Sequence, residues 1–66
     1  MAKFKFQAYN REMTTLVWEK NEEFFNFDVA VMEALGNLSP NAIIVLWVQC
    51  LDNPNMYKLI AKIYRL

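Results

Sequence analysis

Apolar and polar residues alternate near the start of the chain, over Lys3 to Tyr9. A period of two is typical of a half-buried strand. This predicts a first strand with two distinct sides, one formed by Phe4, Phe6 and Ala8 and the other by Lys3, Lys5 and Gln7. Asn10-Arg11-Glu12 follows as a predicted turn.

A second strand is predicted from Thr14 to Glu19, which is rich in β-branched and aromatic residues. The short gap after the first strand favours an antiparallel hairpin. The polar residues Lys20 to Glu23 predict a connection, with Phe24 and Phe25 anchoring it to the core.

The pattern predicts a helix over Asp28 to Leu35, started by Asn26 or by Phe27-Asp28. Asp28 is placed to cap the helix or to interact with its positive end. Gly36 suits a left-handed cap, and Pro40 prevents the helix from continuing. Apolar residues spaced by three and four form one stripe, namely Phe25, Val29, Met32 and Leu35.

A third strand is predicted from Ile43 to Leu51, where β-branched residues are dense and apolar residues do not alternate with polar ones. Both of its sides are therefore apolar, as in a central strand buried on two faces. One side holds Ile43, Val45 and Trp47, and the other Ile44, Leu46, Val48 and Cys50. A single short helix covers only one of these sides.

The last segment has two interpretations. Asn53-Pro54-Asn55-Met56 suits a type I turn, which makes Tyr57 to Arg65 a hairpin partner of the third strand. Asn53 and Pro54 also suit the start of a helix. The strand is favoured, with Tyr57, Leu59, Ala61 and Ile63 sharing one face. The fold class is then α+β, a small antiparallel sheet with one helix in the order β-β-α-β-β.

Size and composition indicate one domain, residues 1–66, that needs a partner. A chain of 66 residues hides only about 60 % of its unfolded surface. Its apolar share is 56 %, against roughly 45–50 % in ordinary domains. Exposed apolar patches usually mark contact sites, so we expect self-association, most simply as a dimer. An obligate partner of a different sequence and a densely packed monomer are the alternatives.

The residues needed for most catalytic mechanisms are missing, so we expect no enzyme. There is no histidine, which removes the commonest general base and every Ser-His or Cys-His pair. Cys50, the single cysteine, is predicted to be an inert core thiol and cannot form an internal disulfide or a usual zinc site. One glycine cannot make a phosphate loop. No cofactor or metal is expected.

Charge suggests two alternative binding surfaces. Six acids and one base lie between Glu12 and Glu33. This acidic region predicts a contact surface for a protein partner, formed by Trp18, Glu19, Glu22 and Glu23. Solubilising surface charges that pair with their neighbours are a simpler explanation of the acids. Trp47 is expected to lie in the core. The alternative is a nucleotide or oligonucleotide held by Lys58, Lys62 and Tyr64. Lysines that protect an edge strand are a simpler explanation of that group. A dedicated nucleic-acid binder would be basic overall, whereas the net charge here is zero.

The eleven residues from Lys3 to Met13 read Lys-Phe-Lys-Phe-Gln-Ala-Tyr-Asn-Arg-Glu-Met. This segment resembles the start of YopX-like phage proteins, which begin with a basic-Phe strand and an Ala-aromatic-Asp turn. Asn10 stands where those proteins have Asp, and no functional residue carries over. The resemblance implies a phage or prophage origin and a protein that binds and inhibits a bacterial host or defence protein.

The longest apolar run, Ala42 to Val48, has seven residues, far fewer than the ~18 of a membrane span. No targeting pattern is recognisable. The chain is therefore expected in the cytoplasm, away from the membrane.

Overall fold

A computed structural model describes residues 1–66. It contains four strands and one helix in the predicted order β-β-α-β-β, and the last element is a strand. The elements are β1 (Ala2–Asn10), β2 (Leu16–Phe24), α1 (Phe27–Gly36), β3 (Ala42–Gln49) and β4 (Tyr57–Tyr64). The predicted α+β class, with one antiparallel sheet and one helix, is confirmed.

The four strands form one antiparallel sheet in the order β2-β1-β3-β4. β3, which has the most apolar sequence of the four strands, is central and is flanked by a strand on both edges. The predicted central position of β3 is confirmed. Of the two outer strands, β2 carries the most charge of any strand and β4 carries two lysines, as is usual for sheet edges.

The core lies between one side of the sheet and α1. β1 contributes alternate residues, as its period of two predicts, and β3 contributes the residues opposite them in register. The buried members of the core are Phe4, Phe6, Ala8, Ala30, Ala34, Leu38, Ile44 and Leu46. Phe6, Ile44 and Leu46 are its largest fully buried side chains. Burying each of them contributes about 1.5–3 kcal/mol to folding.

The helix begins one residue earlier than predicted and is capped by Asn26. The Asn26 Oδ1 accepts a hydrogen bond of 3.0 Å from the backbone N–H of Val29, which satisfies one of the free donors of the first turn. Asp28 lies in that first turn. The left-handed cap predicted at Gly36 is wrong, since no glycine has a positive φ. Gly36 ends α1, and Asn37 caps it through a backbone N–H directed to Ala34.

The side of α1 that meets the sheet differs from the stripe in the sequence. Small residues, Ala30 and Ala34, are buried against the sheet. The stripe of larger residues lies on the exposed side, and its members are Phe25, Val29, Met32 and Leu35. The expected anchoring by Phe25 is also wrong, because Phe25 is 80 % exposed. Phe24 does reach the core and packs against the rings of Phe4 and Phe6.

β2 is longer than predicted and includes the expected connection. Lys20 to Glu23 pair with Phe6 to Lys3 of β1 and continue the strand to Phe24. Charged residues are tolerated here because β2 is an edge strand. The hairpin turn before β2 is as predicted, and Asn10 holds it by accepting the backbone N–H groups of Thr14 and Thr15.

An irregularity in β4 changes which side chains share a face. Trp47 pairs with Leu59 but Leu46 pairs with Ala61, so Ile60 is an extra residue. This bulge places Tyr57 and Leu59 on one side of the sheet and Ala61 and Ile63 on the other. The predicted common face of these four residues is therefore wrong. The predicted turn at Pro54 is present, closed by a 3.0 Å hydrogen bond from the Met56 N–H to the Asn53 carbonyl.

Candidate functional site

The side of the sheet away from α1 carries no second layer. We call it the open face, and its register defines three rows that each cross all four strands. The rows, from β2 to β4, are Leu16-Tyr9-Ile43-Tyr64, Glu19-Gln7-Val45-Lys62 and Asn21-Lys5-Trp47-Leu59. Four of the six positions on β2 and β1 carry charged or amide groups, whereas five of the six on β3 and β4 are apolar, Lys62 being the exception.

The open face is organised by hydrogen bonds between strands. The Trp47 Nε1–H donates to the Gln7 Oε1 at 2.8 Å, and the Gln7 Nε2 donates to the Glu19 Oε1 at 2.8 Å. The Lys5 ammonium lies 4.3 Å from the centre of the Tyr57 ring. These contacts hold long side chains flat on the sheet, where each meets a defined partner.

This face only partly shelters β3. Val45, flanked in its row by Gln7 and Lys62, is 4 % exposed. Ile43 and Trp47 remain half-buried, and Leu59 and Tyr64 are exposed. The prediction that one side of β3 lacks a covering layer is therefore confirmed, although neighbouring side chains cover its middle.

The second candidate surface is the outer side of α1. Phe25, Val29, Met32 and Leu35 are all exposed there, and we call these four residues the outer strip. A helix that is apolar on both sides is normally covered on both sides.

The acidic group predicted from the sequence does not form one surface. Trp18 and Glu22 lie on the helix side of β2, whereas Glu19 and Glu23 lie on the open face. The alternation of a strand separates them, because β2 continues through all four positions. Trp18 is half-buried and packs against the core, whereas Trp47 lies on the open face. The two tryptophans thus have the opposite environments to those predicted.

Glu22 is part of an ionic contact between the edge of the sheet and the helix. The Lys20 Nζ lies 2.9 Å from the Glu33 Oε2 and 3.4 Å from the Glu22 Oε1. The hydrogen bond from Lys20 lowers the pKa of Glu33, and the bond to Glu33 in turn raises the pKa of Lys20. Lys20 therefore links β2 to α1 and keeps Glu22 and Glu33 close together on the helix side of the sheet.

The predicted anion-binding group is divided as well. Lys62 and Tyr64 lie on the open face, but the bulge at Ile60 turns Lys58 to the helix side, opposite Val48. The prediction that Lys58 and Lys62 share a face is wrong for this reason. Cys50 lies just beyond β3 and is half-buried rather than in the core.

Sequence reasoning missed a small pocket at the end of the sheet where β1 ends and β3 begins. Its volume is about 150 Å³, and it is lined by Arg11, Pro40, Ala42, Ile43, Tyr64 and Arg65. Neither arginine forms an ion pair within 4.0 Å. The residues come from three separate segments, so no local spacing in the sequence could indicate the pocket.

Comparisons with protein-family models, with curated proteins and with solved structures found no match to this chain. The ten residues of α1 fall short of the length and apolar content that a bilayer-spanning helix requires.

Proposed function

We propose that this chain is a non-catalytic protein-binding module that works as a homodimer. The observation that carries the proposal is the open face, where Ile43, Trp47, Leu59 and Tyr64 form an apolar half with no layer above it. Across the chain, thirteen large apolar side chains are exposed while only nine of the 66 residues are buried. Leu16, Leu59 and Tyr64 are the three of these thirteen that lie in the rows of the open face. Contiguous apolar surface of this kind usually marks a contact site.

The charges of the open face fit a second copy. When two open faces stack about a two-fold axis parallel to the strands, β2 of one copy lies over β4 of the other and β1 lies over β3. Each cross-strand row then faces the same row of the second copy, read in the opposite direction. In the middle row this places Glu19 opposite Lys62. In the next row it places Lys5 opposite Trp47, a favourable cation–π arrangement. Stacked sheets cross at about 30°, which keeps these pairs adjacent.

Light scattering of the purified chain tests the dimer. We expect twice the chain mass for the natural sequence and a monomer for Leu59→Glu, which places a charge in the apolar half of the open face. Leu51→Glu is the matched control, because Leu51 is 99 % exposed outside the sheet. A natural chain that stays monomeric at every concentration would overturn the proposal.

A charge exchange tests the orientation of the two copies. Glu19→Lys and Lys62→Glu should each weaken the dimer, because each places like charges opposite one another. A mixture of the two variants should restore a heterodimer, since both contacts then join opposite charges. Failure of the mixture to associate would exclude the axis parallel to the strands.

The resemblance of Lys3–Met13 to YopX-like phage proteins supports a bacterial host or defence protein as the target of the dimer. Inhibition of that target is the expected outcome of binding. A bacterial protein that co-purifies from lysate with the natural chain, but not with a folded variant altered at its surface, would be identified as this target.

Anion binding is the second candidate function, because the pocket brings Arg11, Arg65 and the ring of Tyr64 together. Two guanidinium groups without ion-pair partners suit a phosphate or a carboxylate. Inorganic phosphate and nucleotides should then raise the melting temperature, and Arg11→Ala should abolish the rise. No shift with any anion would exclude this function.

A further inference from the structure

The outer strip makes the exposed side of α1 largely apolar, with Asp28 as the exposed charged residue of the helix. Met32 is 70 % exposed on α1, and Phe25, which immediately precedes the N-cap Asn26, is 80 % exposed. Exposed phenylalanine and methionine are typical of surfaces that receive a partner. The strip faces away from the open face, so a dimer formed there leaves it uncovered.

The charges around the outer strip are negative. α1 contains Asp28 and Glu33 and no basic residue. The only base bonded to the helix layer is Lys20, which already contacts Glu22 and Glu33. Lys58, the other base on the helix side of the sheet, lies on the far edge strand and has no ion pair within 4.0 Å. The charges of α1 that no side chain neutralises are therefore Asp28, partly offset by the positive end of the helix dipole, and the negative end of the dipole at the other terminus.

These charges oppose a second copy on the outer strip. An antiparallel pair of α1 helices would place each Asp28 beside the negative end of its neighbour, and a parallel pair would place the two Asp28 residues together. They also oppose an anionic membrane, which attracts basic helices and repels acidic ones.

We propose that the outer strip binds an apolar segment of a partner protein that carries lysine or arginine on both sides of its apolar residues. One cation would pair with Asp28, and a second would meet the carbonyl of Gly36. The three carbonyls before it already accept hydrogen bonds from Asn37 and Leu38. Asp28 and Gly36 are about 12 Å apart along the helix. A partner helix presents such a pair of cations on residues about two turns apart. This inference rests on the proposed function as a protein-binding module, but it concerns α1 and not the open face.

Two model peptides test the proposal directly. Each is an amphipathic helix of about 18 residues with leucines on one face, flanked by lysines in one peptide and by glutamates in the other. We expect the lysine peptide to bind, to shift the methyl resonances of Val29 and Met32, and to weaken as salt rises. Equal binding of both peptides, or shifts confined to the open face, would overturn it.

Charge variants supply the controls. Asp28→Lys and Met32→Lys should each weaken the lysine peptide about tenfold or more, as expected for the centre of a contact. Glu12→Lys makes the same charge change in the hairpin turn and should have no effect. Val29→Ala should also weaken binding of the lysine peptide. Because this variant changes no charge and removes no core side chain, its effect does not come from failure to fold.

Two further measurements separate this inference from the proposed dimer. Leu59→Glu should lose the dimer and still bind the lysine peptide, whereas Met32→Lys should keep the dimer and lose the peptide. A monomeric Met32→Lys chain would show that a second copy covers the outer strip. Co-sedimentation of the natural chain with phosphatidylserine vesicles would show that a membrane covers it. Either result would overturn the inference.

Discussion

The indole N–H of Trp47 donates a 2.8 Å hydrogen bond to the side-chain oxygen of Gln7, forty positions earlier in the chain. This bond crosses the central pair of strands, β1 and β3, and it uses the acceptor of an amide whose donor is already bonded to Glu19. The amide of Gln7 is therefore fixed in one orientation.

A double-mutant cycle should detect this bond. Trp47→Phe and Gln7→Ala should be coupled by about 1 kcal/mol in the free energy of unfolding, the usual net contribution of a hydrogen bond. Urea denaturation of the four chains measures the coupling. Trp18→Phe is the control partner, because Trp18 lies on the other side of the sheet and should show no coupling to Gln7.

Truncation of a core side chain and truncation of an outer-strip side chain should have different effects on stability. Phe6 is fully buried, so Phe6→Ala should cost about 3–5 kcal/mol and leave a domain of this size largely unfolded. Phe25→Ala should change stability by less than about 0.5 kcal/mol, since that ring is exposed. Thermal unfolding followed by circular dichroism compares them. A large loss for Phe25→Ala would place Phe25 in the core, as the sequence first suggested.

The cap of α1 provides a third prediction. Asn26→Ala removes the acceptor for the Val29 N–H and should cost about 1 kcal/mol. Asn26→Asp should retain most of the stability, because aspartate caps equally well. Asn41→Ala, in an exposed turn, is the control and should be neutral. Equal effects of Asn26→Ala and Asn41→Ala would contradict the cap.

The stability of the folded chain should depend on pH through the ionisation of the Glu33 carboxyl. Its pKa is lowered from the ordinary value of 4.5 by the bond from Lys20. The folded chain therefore holds the Glu33 proton more weakly than the unfolded chain does. The stability that results is fully present above pH 4.5 and is lost as the pH falls through the lowered pKa of the folded chain. The melting temperature should fall less steeply below about pH 4.5 in Glu33→Gln than in the natural chain. The matched variant Glu12→Gln should follow the natural chain.

The elements of the fold could be predicted because each has a clear local pattern. The alternation of β1 gives its two faces, and the apolar run of β3 gives its central position. The turn at Pro54 identifies a hairpin. These are short-range properties that each segment carries in its own residues.

The orientation of α1 could not be predicted in the same way. The stripe with Val29 and Met32 and the opposite side with Ala30 and Ala34 are both apolar, so periodicity does not choose between them. The choice depends on volume, because the large side chains of Phe6, Ile44 and Leu46 already fill the space above the sheet. Small residues let the helix approach that layer closely.

The bulge at Ile60 limited the prediction of the sites. One extra residue reverses the faces of everything before it in β4, which separates Lys58 from Lys62. The bulge depends on pairing with β3, and nothing in the spacing of β4 alone indicates it. The separation of Glu22 from Glu23, in contrast, follows directly from the continuation of β2.

The charged outer strands also limit how copies of the chain can add to one another. β2 bears Glu19, Lys20, Glu22 and Glu23 along one margin of the sheet, and β4 bears Lys58 and Lys62 along the other. Pairing of two identical edges would bring like charges together and strip their hydration, so addition of β2 to β2 or of β4 to β4 is disfavoured. Self-pairing of either edge is thereby made costly, which closes one route to aggregation for a protein with this much exposed apolar surface.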